Sequence, residues 1–259
     1  GRGIGTTYSQ KAERDGIRLA DLDWEEKWND LDDSDKEFLN QYKEKLISMR
    51  VDIASKMYEF KNENILFEGA QGAMLDIDSG TYPYVSSGAS GSYGAASGSG
   101  IGPRAIDKVY GVFKAYQTRV GNGPMPTEFN EDSEGELCDY VRKTGNEFGV
   151  TTGRARRCGY LDLVALRYAC HVNSIDSLVL THLDVYDQME EIEACIAYEI
   201  DGQIVTDFPA SIPLLQKAKP VLQKFKGWKS PIKEIKSYKK LPKEAKEYMD
   251  SVVMAIAKK

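Results

Sequence analysis

Residues 160–184 read YLDLVALRYACHVNSIDSLVLTHLD. Two periods follow one another in this short span. Leu161, Val164, Ala165 and Tyr168 recur at helical spacing and mark one apolar side of a helix. The run SLVLTHLD at 177–184 is instead a short apolar stretch of the kind buried in a parallel sheet. A helix that leads directly into such a strand is the building unit of α/β folds. Asp184 closes the run. A carboxylate at the end of a parallel strand stands where open α/β sheets bind ligands, and the same residue in a loop could equally cap a helix.

Outward from this unit, the rest of the chain alternates in the same way. The segment DLDDSDKEF predicts a helix start, with Ser34 as cap and Glu37 as its capping-box partner. Leu39, Tyr42, Leu46, Met49, Ile53, Met57 and Phe60 then predict one long amphipathic helix. The acids Asp30, Asp32, Asp33 and Asp35 lack the loop glycine and closing glutamate of a calcium site, so they read as charge at a helix N-terminus. Ile65, Leu66 and Phe67 predict a short buried strand. Residues 86–104 are almost all Gly, Ser and Ala, either a linker or a loop whose backbone must approach a ligand or a neighbouring subunit closely. Pro103 and Arg104 predict a helix opening onto Ile106, Val109, Tyr110 and Phe113. AYQTRVGNGPMPTEF reads as a strand ending in a Gly/Pro turn, IEACIAYEIDGQIVTDF as a hairpin turning at Asp201–Gly202, and Ile212 to Ile256 as lysine-rich helix. The class is therefore α/β, with a largely parallel central sheet flanked by helices, a β-hairpin and a helical C-terminal part.

Composition narrows the function. The chain has 259 residues, 41% hydrophobic and 29% charged, with a net charge of −6, which disfavours general nucleic-acid binding. The charge is uneven: residues 21–45 hold ten acids against four lysines, and residues 217–259 hold thirteen lysines against four acids, best read as solvated faces. No apolar run is long enough to span a membrane, and GRGIGTTYSQ is neither a signal nor a transit peptide. Cys138, Cys158, Cys170 and Cys195 form no C-x-x-C pair, and with only His171 and His182 beside them no zinc site is expected; they read as reduced, buried thiols of a cytoplasmic protein. There is no Walker A loop, and Pro103 spoils the near-fingerprint of Gly98, Gly100 and Gly102.

Three constellations carry chemistry. VTTGRARR at 150–157 crowds three arginines behind two threonines and a glycine. Guanidinium groups grip carboxylates and phosphates bidentately, and so dense a cluster repels itself unless an anion is expected. The bland alternative is a turn with ion pairs to Glu147 or Asp162. In FEGAQGAMLDIDSGTYPYVSS, the Gln71 amide could read a base edge, Asp76 and Asp78 could act as acid and base or merely orient loops, and Ser86 and Ser87 could hold a phosphate. In THLD, Asp184 could accept two hydrogen bonds from the N1–H and 2-amino group of guanine.

Taken together and in order, these motifs resemble adenylosuccinate synthetase. The resemblance rests on GRGIG, FEGAQG, LDIDSGTYPYVSS, GSGIGPR, KAYQTRVGNGPMPTE, NEFGVTTGRARRCGYLDLVALRYA, LTHLDV, GWKS and LPKEAKEYM, which run over nearly the whole chain. It implies a P-loop-related fold, a single domain over residues 1–259 incomplete at both ends, and a purine-biosynthetic ligase. That family joins IMP and L-aspartate at the cost of GTP, through 6-phosphoryl-IMP, on the way to AMP. By resemblance, Thr152, Arg154 and Arg156 hold the carboxylates of aspartate, and Arg154 also reaches the IMP ribose. Gln71 lies near the reacting O6, Ser86 matches a family threonine at the 5′-phosphate, and Arg14 reaches that phosphate in the partner subunit of a homodimer. Arg156, His182 and Asp184 serve GTP.

The resemblance also implies what these residues lack. The family's phosphate loop, its catalytic aspartate and histidine, its Mg2+ ligands and the segment completing the guanine pocket have no counterpart among residues 1–259. The chain alone is therefore expected to be inactive and to hold no metal. His182 replaces a usual lysine beside the guanine-reading aspartate, which opens the alternative of a same-fold ligase using ATP or another purine monophosphate. GRGIGTTY replaces the usual GRGIGPAY and loses a rigid turn. A non-catalytic nucleotide-binding paralogue is the remaining alternative.

Overall fold

The computed structural model describes residues 3–149 and 153–257. The chain divides into two compact units, Gly1–Gly72 with Ser86–Ile106, and Ala73–Val85 with Asp107–Lys259. Each is described by itself.

The first unit is helical: α1 (Gly5–Glu13), α2 (Glu25–Asn29), α3 (Asp33–Asn40), α4 (Lys43–Ser48), α5 (Ile53–Glu59) and α6 (Tyr93–Ser99). The long helix expected over residues 34–60 is thus three short ones. The first start and the last restart are set by aspartate caps. Asp32, not Ser34, caps α3: its Oδ1 accepts the Asp35 N–H at 2.8 Å and the Ser34 hydroxyl at 2.8 Å. Asp52 does the same for α5, accepting the Ser55 N–H at 3.2 Å. A short acidic side chain that captures a backbone N–H competes with the carbonyl that would continue a helix. The expected strand at Ile65–Phe67 is also absent. No described backbone pairs with it, and Leu66 stands 87% exposed. Loop contacts hold this unit together. Arg50 forms a fork on Asp23 at 2.7 and 2.6 Å and also donates to the Ala20 carbonyl, and Lys43 lies over the Trp28 ring at 3.6 Å.

The second unit carries the sheets and the core. Strand β1 (Tyr110–Lys114) pairs in parallel with β5 (Ser177–Thr181), Val112 opposite Val179. Antiparallel β2 (Gln117–Arg119) and β3 (Arg157–Gly159) form a second pair. The largest sheet centres on β6 (Glu191–Ile200), joined in parallel by β4 (Leu161–Asp162) and antiparallel by β7 (Gln203–Val205) and β8 (Lys219–Lys226). Helices α7 (Glu131–Thr144), α8 (Leu163–Val172), α9 (Ile212–Lys217) and α10 (Lys243–Ala257) complete the α/β arrangement.

The opening stretch is in part as read: α8 leads to the parallel strand β5, but β5 pairs only with β1 among the described residues and is not buried, Val179 being 43% exposed. Asp162 caps α8 by accepting the Ala165 N–H at 2.9 Å. The β6–β7 hairpin turns at Asp201–Gly202 with φ of 50° and 81°, a pair of left-handed positions for which Asp–Gly is suited. Two helical expectations fail. Only a short 3-10 turn, Pro103–Ala105, follows Pro103, and the chain then becomes β1, because Val109 to Phe113 fits a strand beside β5 as well as a helix face. Between Ile212 and Ile256 the chain forms β8 as well as helix. Pairing to β6 sets that strand, and Lys224 and Lys226 reach Glu191 and Glu244 at 2.6 and 3.1 Å. The core gathers Tyr116, Val141, Cys158, Leu161, Ile192, Ala194 and Tyr248, and a smaller cluster gathers Val164, Cys195, Tyr198, Ile200 and Leu215.

Candidate functional site

The arginine turn is built over a buried glutamate. Helix α7 ends at Gly145, where a Cβ would stand 2.1 Å from the Tyr116 hydroxyl. The missing side chain therefore lets the Tyr116 phenol lie against the helix end. Two residues later comes Glu147, 1% exposed. Its Oε1 accepts the Lys114 ammonium at 2.6 Å and the Tyr116 hydroxyl at 2.6 Å, and its Oε2 accepts Arg156 Nη1 at 2.7 Å. Burial pushes this carboxyl upward, and the bonds from Lys114, Tyr116 and Arg156 outweigh it, holding Glu147 below the usual glutamate range. The flanking backbone closes the loop: Phe148 bridges Ala155, and the Gly149 N–H donates to the Arg154 carbonyl at 2.8 Å.

The three arginines have different fates. Arg157 forks onto Glu128, with Nε to Oε1 at 2.7 Å, and its Nη1 donates to the carbonyls of Gly121 and Gly123 at 3.1 and 2.9 Å. It clamps the 121–123 turn. Arg156 is tied to Glu147 and Arg154 is exposed. Thr152, the third residue expected at the aspartate carboxylates, lies outside the described residues. Self-repulsion within the cluster therefore argues for an outside anion less strongly than the sequence implied, because two of the arginines meet carboxylates of the chain itself. Asp162, the other acid considered as a partner, is occupied elsewhere. It accepts the Tyr198 hydroxyl at 2.5 Å besides capping α8, and burial raises its carboxyl to about 6.

The strand-end residues stand beside this hub. His182 is exposed, in a left-handed conformation with φ of 56°, and its ring meets the Tyr116 ring edge-on at 5.9 Å. Through Tyr116 and Glu147, His182 is thus joined to Arg156. Asp184 lies in the 3-10 turn Leu183–Tyr186, half-buried, and its carboxylate makes no hydrogen bond to any described residue. It does not cap that turn, so its two oxygens remain available for a ligand.

Of the remaining expected residues, Arg14, Gln71 and Ser86 belong to the first unit, and Asp76 to the second. Arg14 is exposed at the C-cap of α1, left-handed with φ of 72°. Gln71, with φ of 60°, accepts the Ser90 hydroxyl on its Oε1 at 3.3 Å. Ser86 is half-buried, next to Ser87, whose hydroxyl lies 3.2 Å from where a Cβ on Gly5 would stand, so the serine loop packs against the start of α1. Asp76 takes the loop-orienting role: it is fully buried, and its Oδ1 accepts the N–H groups of Asp78 and Ser79 at 2.9 Å each. Arg119, also buried, ties this segment down through Thr81 and Tyr84 at 3.0 and 2.9 Å.

Sequence reading missed Lys114 and Tyr116. The signal was KAY itself, a lysine and a tyrosine two residues apart at a strand end, a spacing that aims both side chains to one side. A cavity of about 460 Å³ lies apart from these groups, lined by Tyr84, Asn122, Gly123, Pro124, Met125 and Pro126 with Leu215, Gln216 and Ala218. No charged side chain lines it, so it lacks the cation that a charge-assisted phosphate contact needs. Among the described residues no three His, Cys, Asp or Glu side chains group as a metal site. No helix among them is long and apolar enough to cross a membrane.

Comparison with known proteins identifies the family. The sequence profile of the adenylosuccinate synthetase family matches residues 1–258. The chain is 46% identical to adenylosuccinate synthetase of Gloeothece citriformis, over 96% of this chain and 60% of that one. It is 43% identical to the Clostridium novyi enzyme, over 97% and 64%. A solved structure of fully ligated adenylosuccinate synthetase from Plasmodium falciparum superposes with a TM-score of 0.89 at 38% identity, covering 98% of this chain and 65% of that chain. The chain thus spans about 60% of the length of the first of these relatives. With a match over almost every residue and shared architecture, the chain belongs to the adenylosuccinate synthetase family.

Proposed function

We propose that the protein to which this chain belongs ligates IMP and L-aspartate to adenylosuccinate with hydrolysis of GTP. In that reaction the γ-phosphoryl group of GTP moves to the purine O6. The aspartate amine then attacks C6 and displaces the phosphate, leaving GDP and inorganic phosphate. One observation supports the reading best: two cations, Lys114 and Arg156, share the single buried carboxylate of Glu147, so this trio carries one excess positive charge. Excess cationic charge on a half-buried guanidinium suits a dicarboxylate substrate.

Each residue has a task in this reading. Arg154 and Arg156, with Thr152, hold the aspartate carboxylates, which leaves the amine as the group free to attack. Arg154 also reaches the IMP ribose. Gln71 holds the purine near O6 and Ser86 the 5′-phosphate. Arg14 serves the phosphate of the neighbouring subunit, so the assembly is a homodimer. Asp184 accepts from guanine N1–H and its 2-amino group, with Arg156 and His182 beside the nucleotide. Mg2+, bound outside residues 1–259, would offset phosphate charge. The protein works in the cytoplasm, on small molecules rather than on nucleic acid or membranes.

The test is formation of adenylosuccinate by the protein isolated from its native cell, given IMP, aspartate, GTP and Mg2+. Turnover dependent on all three substrates is expected, and none would contradict the reading. His182 supports a second reading, since an exposed imidazole stacks and bonds differently from a lysine. Competition between ATP and GTP in the same assay separates the two.

A further inference from the structure

We propose that Glu147 and Lys114 are positioning residues that fix where Arg156 presents its open edge to an anionic substrate group. This rests on the ligase reading above. Arg156 is held at three points: its N–H donates to the Glu147 carbonyl at 3.0 Å, its carbonyl accepts Arg142 Nε at 3.0 Å, and its Nη1 donates to Glu147 Oε2 at 2.7 Å. Glu147 is held as firmly, because its own N–H donates to the Arg142 carbonyl at 2.8 Å and both carboxylate oxygens are engaged.

A guanidinium is planar, so with Nη1 on Glu147 the Nε–Nη2 edge turns the other way. That edge makes no bond to any described residue, and the side chain is 30% exposed. It is a bidentate edge of the geometry that a carboxylate or phosphate accepts. Lys114 sets the charge. Glu147 with Arg156 alone would be a neutral pair. With Lys114 on Oε1, also within 3.3 Å of the Thr118 hydroxyl, the trio carries one net positive charge. The hub thus aims the guanidinium and keeps it cationic in effect.

Substituting Glu147→Gln keeps the shape and removes the charge that holds the two cations together. Side-chain NMR of the natural protein with ¹⁵N-labelled arginine is expected to show slow Nη exchange at Arg156 in the wild type and averaged signals in E147Q. In the isolated protein that turns over, E147Q is expected to raise the aspartate KM about tenfold, with the IMP KM unchanged and kcat within about threefold. Adding Lys114→Met to E147Q removes the repulsion and is expected to restore both the Arg156 signals and the aspartate KM to within about threefold. A purely structural carboxylate would show no such rescue. Unchanged Arg156 signals in E147Q, or changed signals with an unchanged aspartate KM, would overturn the proposal. If the wild type shows no turnover, the ligase reading fails, while the NMR arm still decides whether Glu147 holds Arg156. Should E147Q not fold, K114M alone is expected to leave Arg156 pinned and to raise the aspartate KM about threefold, and no change would count against Lys114.

Discussion

Helix α3 lies in a segment whose Leu39, Tyr42 and Leu46 recur at helical spacing, and helix α8 carries Leu163 and Leu166 at the same kind of spacing. Helix α8 buries Leu163, Val164, Ala165, Leu166 and Cys170. Helices α1 to α5 bury nothing, and Phe38 is 59% exposed. Periodicity states which residues would share a face. Burial needs a second surface, which β6 and α10 supply to α8. The helical unit relies instead on caps and exposed ion pairs, which contribute about 1 kcal/mol or less apiece. Its Asp23 shows the local character of such contacts: hydrogen bonds from Arg50 hold the carboxyl down to about 2 although the group lies at the surface.

This contrast can be broken by mutation. The largest effect is expected for Tyr248→Ala. Tyr248 is fully buried among Tyr186, Phe225 and Trp228, so its loss should cost about 3–5 kcal/mol in urea unfolding. The same truncation at Phe38 should cost under about 1 kcal/mol. Equal losses would erase the distinction between the units.

A second effect is visible through pH. Asp162 is raised by burial to about 6, so between about pH 4 and pH 6 the folded chain keeps a proton that the unfolded chain has released. Its contribution to stability is complete below that window and is lost as pH rises through 6. Asp162→Asn keeps one oxygen to accept the Ala165 N–H, places an NH2 donor against the Tyr198 hydroxyl oxygen, and cannot ionise. The difference between the two stability curves should therefore change by on the order of 3 kcal/mol across that window and be flat above it. Glu147, held low, acts in the opposite sense, its stabilisation being lost as pH falls. A parallel pair of curves would mean that Asp162 is not buried as described.

Smaller still, Asp32→Ala should cost about 1 kcal/mol and appear mainly as faster amide exchange within α3, with β6 amides unaffected. Leu66→Ser should change stability by no more than about 0.5 kcal/mol. A large loss there would reveal burial of the 65–67 segment after all.

The same contrast explains what the sequence could tell. Residues 161–172 were legible because local preference and tertiary burial agree in α8, and the Asp201–Gly202 turn because few residue pairs accept two left-handed positions; the strand after α8 was legible by type, while its expected burial failed. The helix over 34–60 was over-read, since Asp52 restarts the chain at α5 without disturbing the apolar spacing. Residues 110–114 and 219–226 were read as helix, because their strand state is decided by β5 and β6, which are distant in sequence. At the site, the turn was read either as ion-paired to Glu147 or Asp162 or as an anion site: Arg156 pairs with Glu147 through Nη1, and its opposite edge bonds no described residue. Lys114 and Tyr116 were missed because their importance comes from reaching Glu147 across more than thirty residues of sequence, at separations of 33 and 31.

The central claim is that the arginine turn recognises the aspartate carboxylates. The most direct measurement is the aspartate KM of Arg154→Leu in the natural protein that contains this chain. A rise of about a hundredfold, with unfolding unchanged, is the predicted result. A KM equal to the wild type's would contradict the claim and leave Arg154 as a surface residue of the turn.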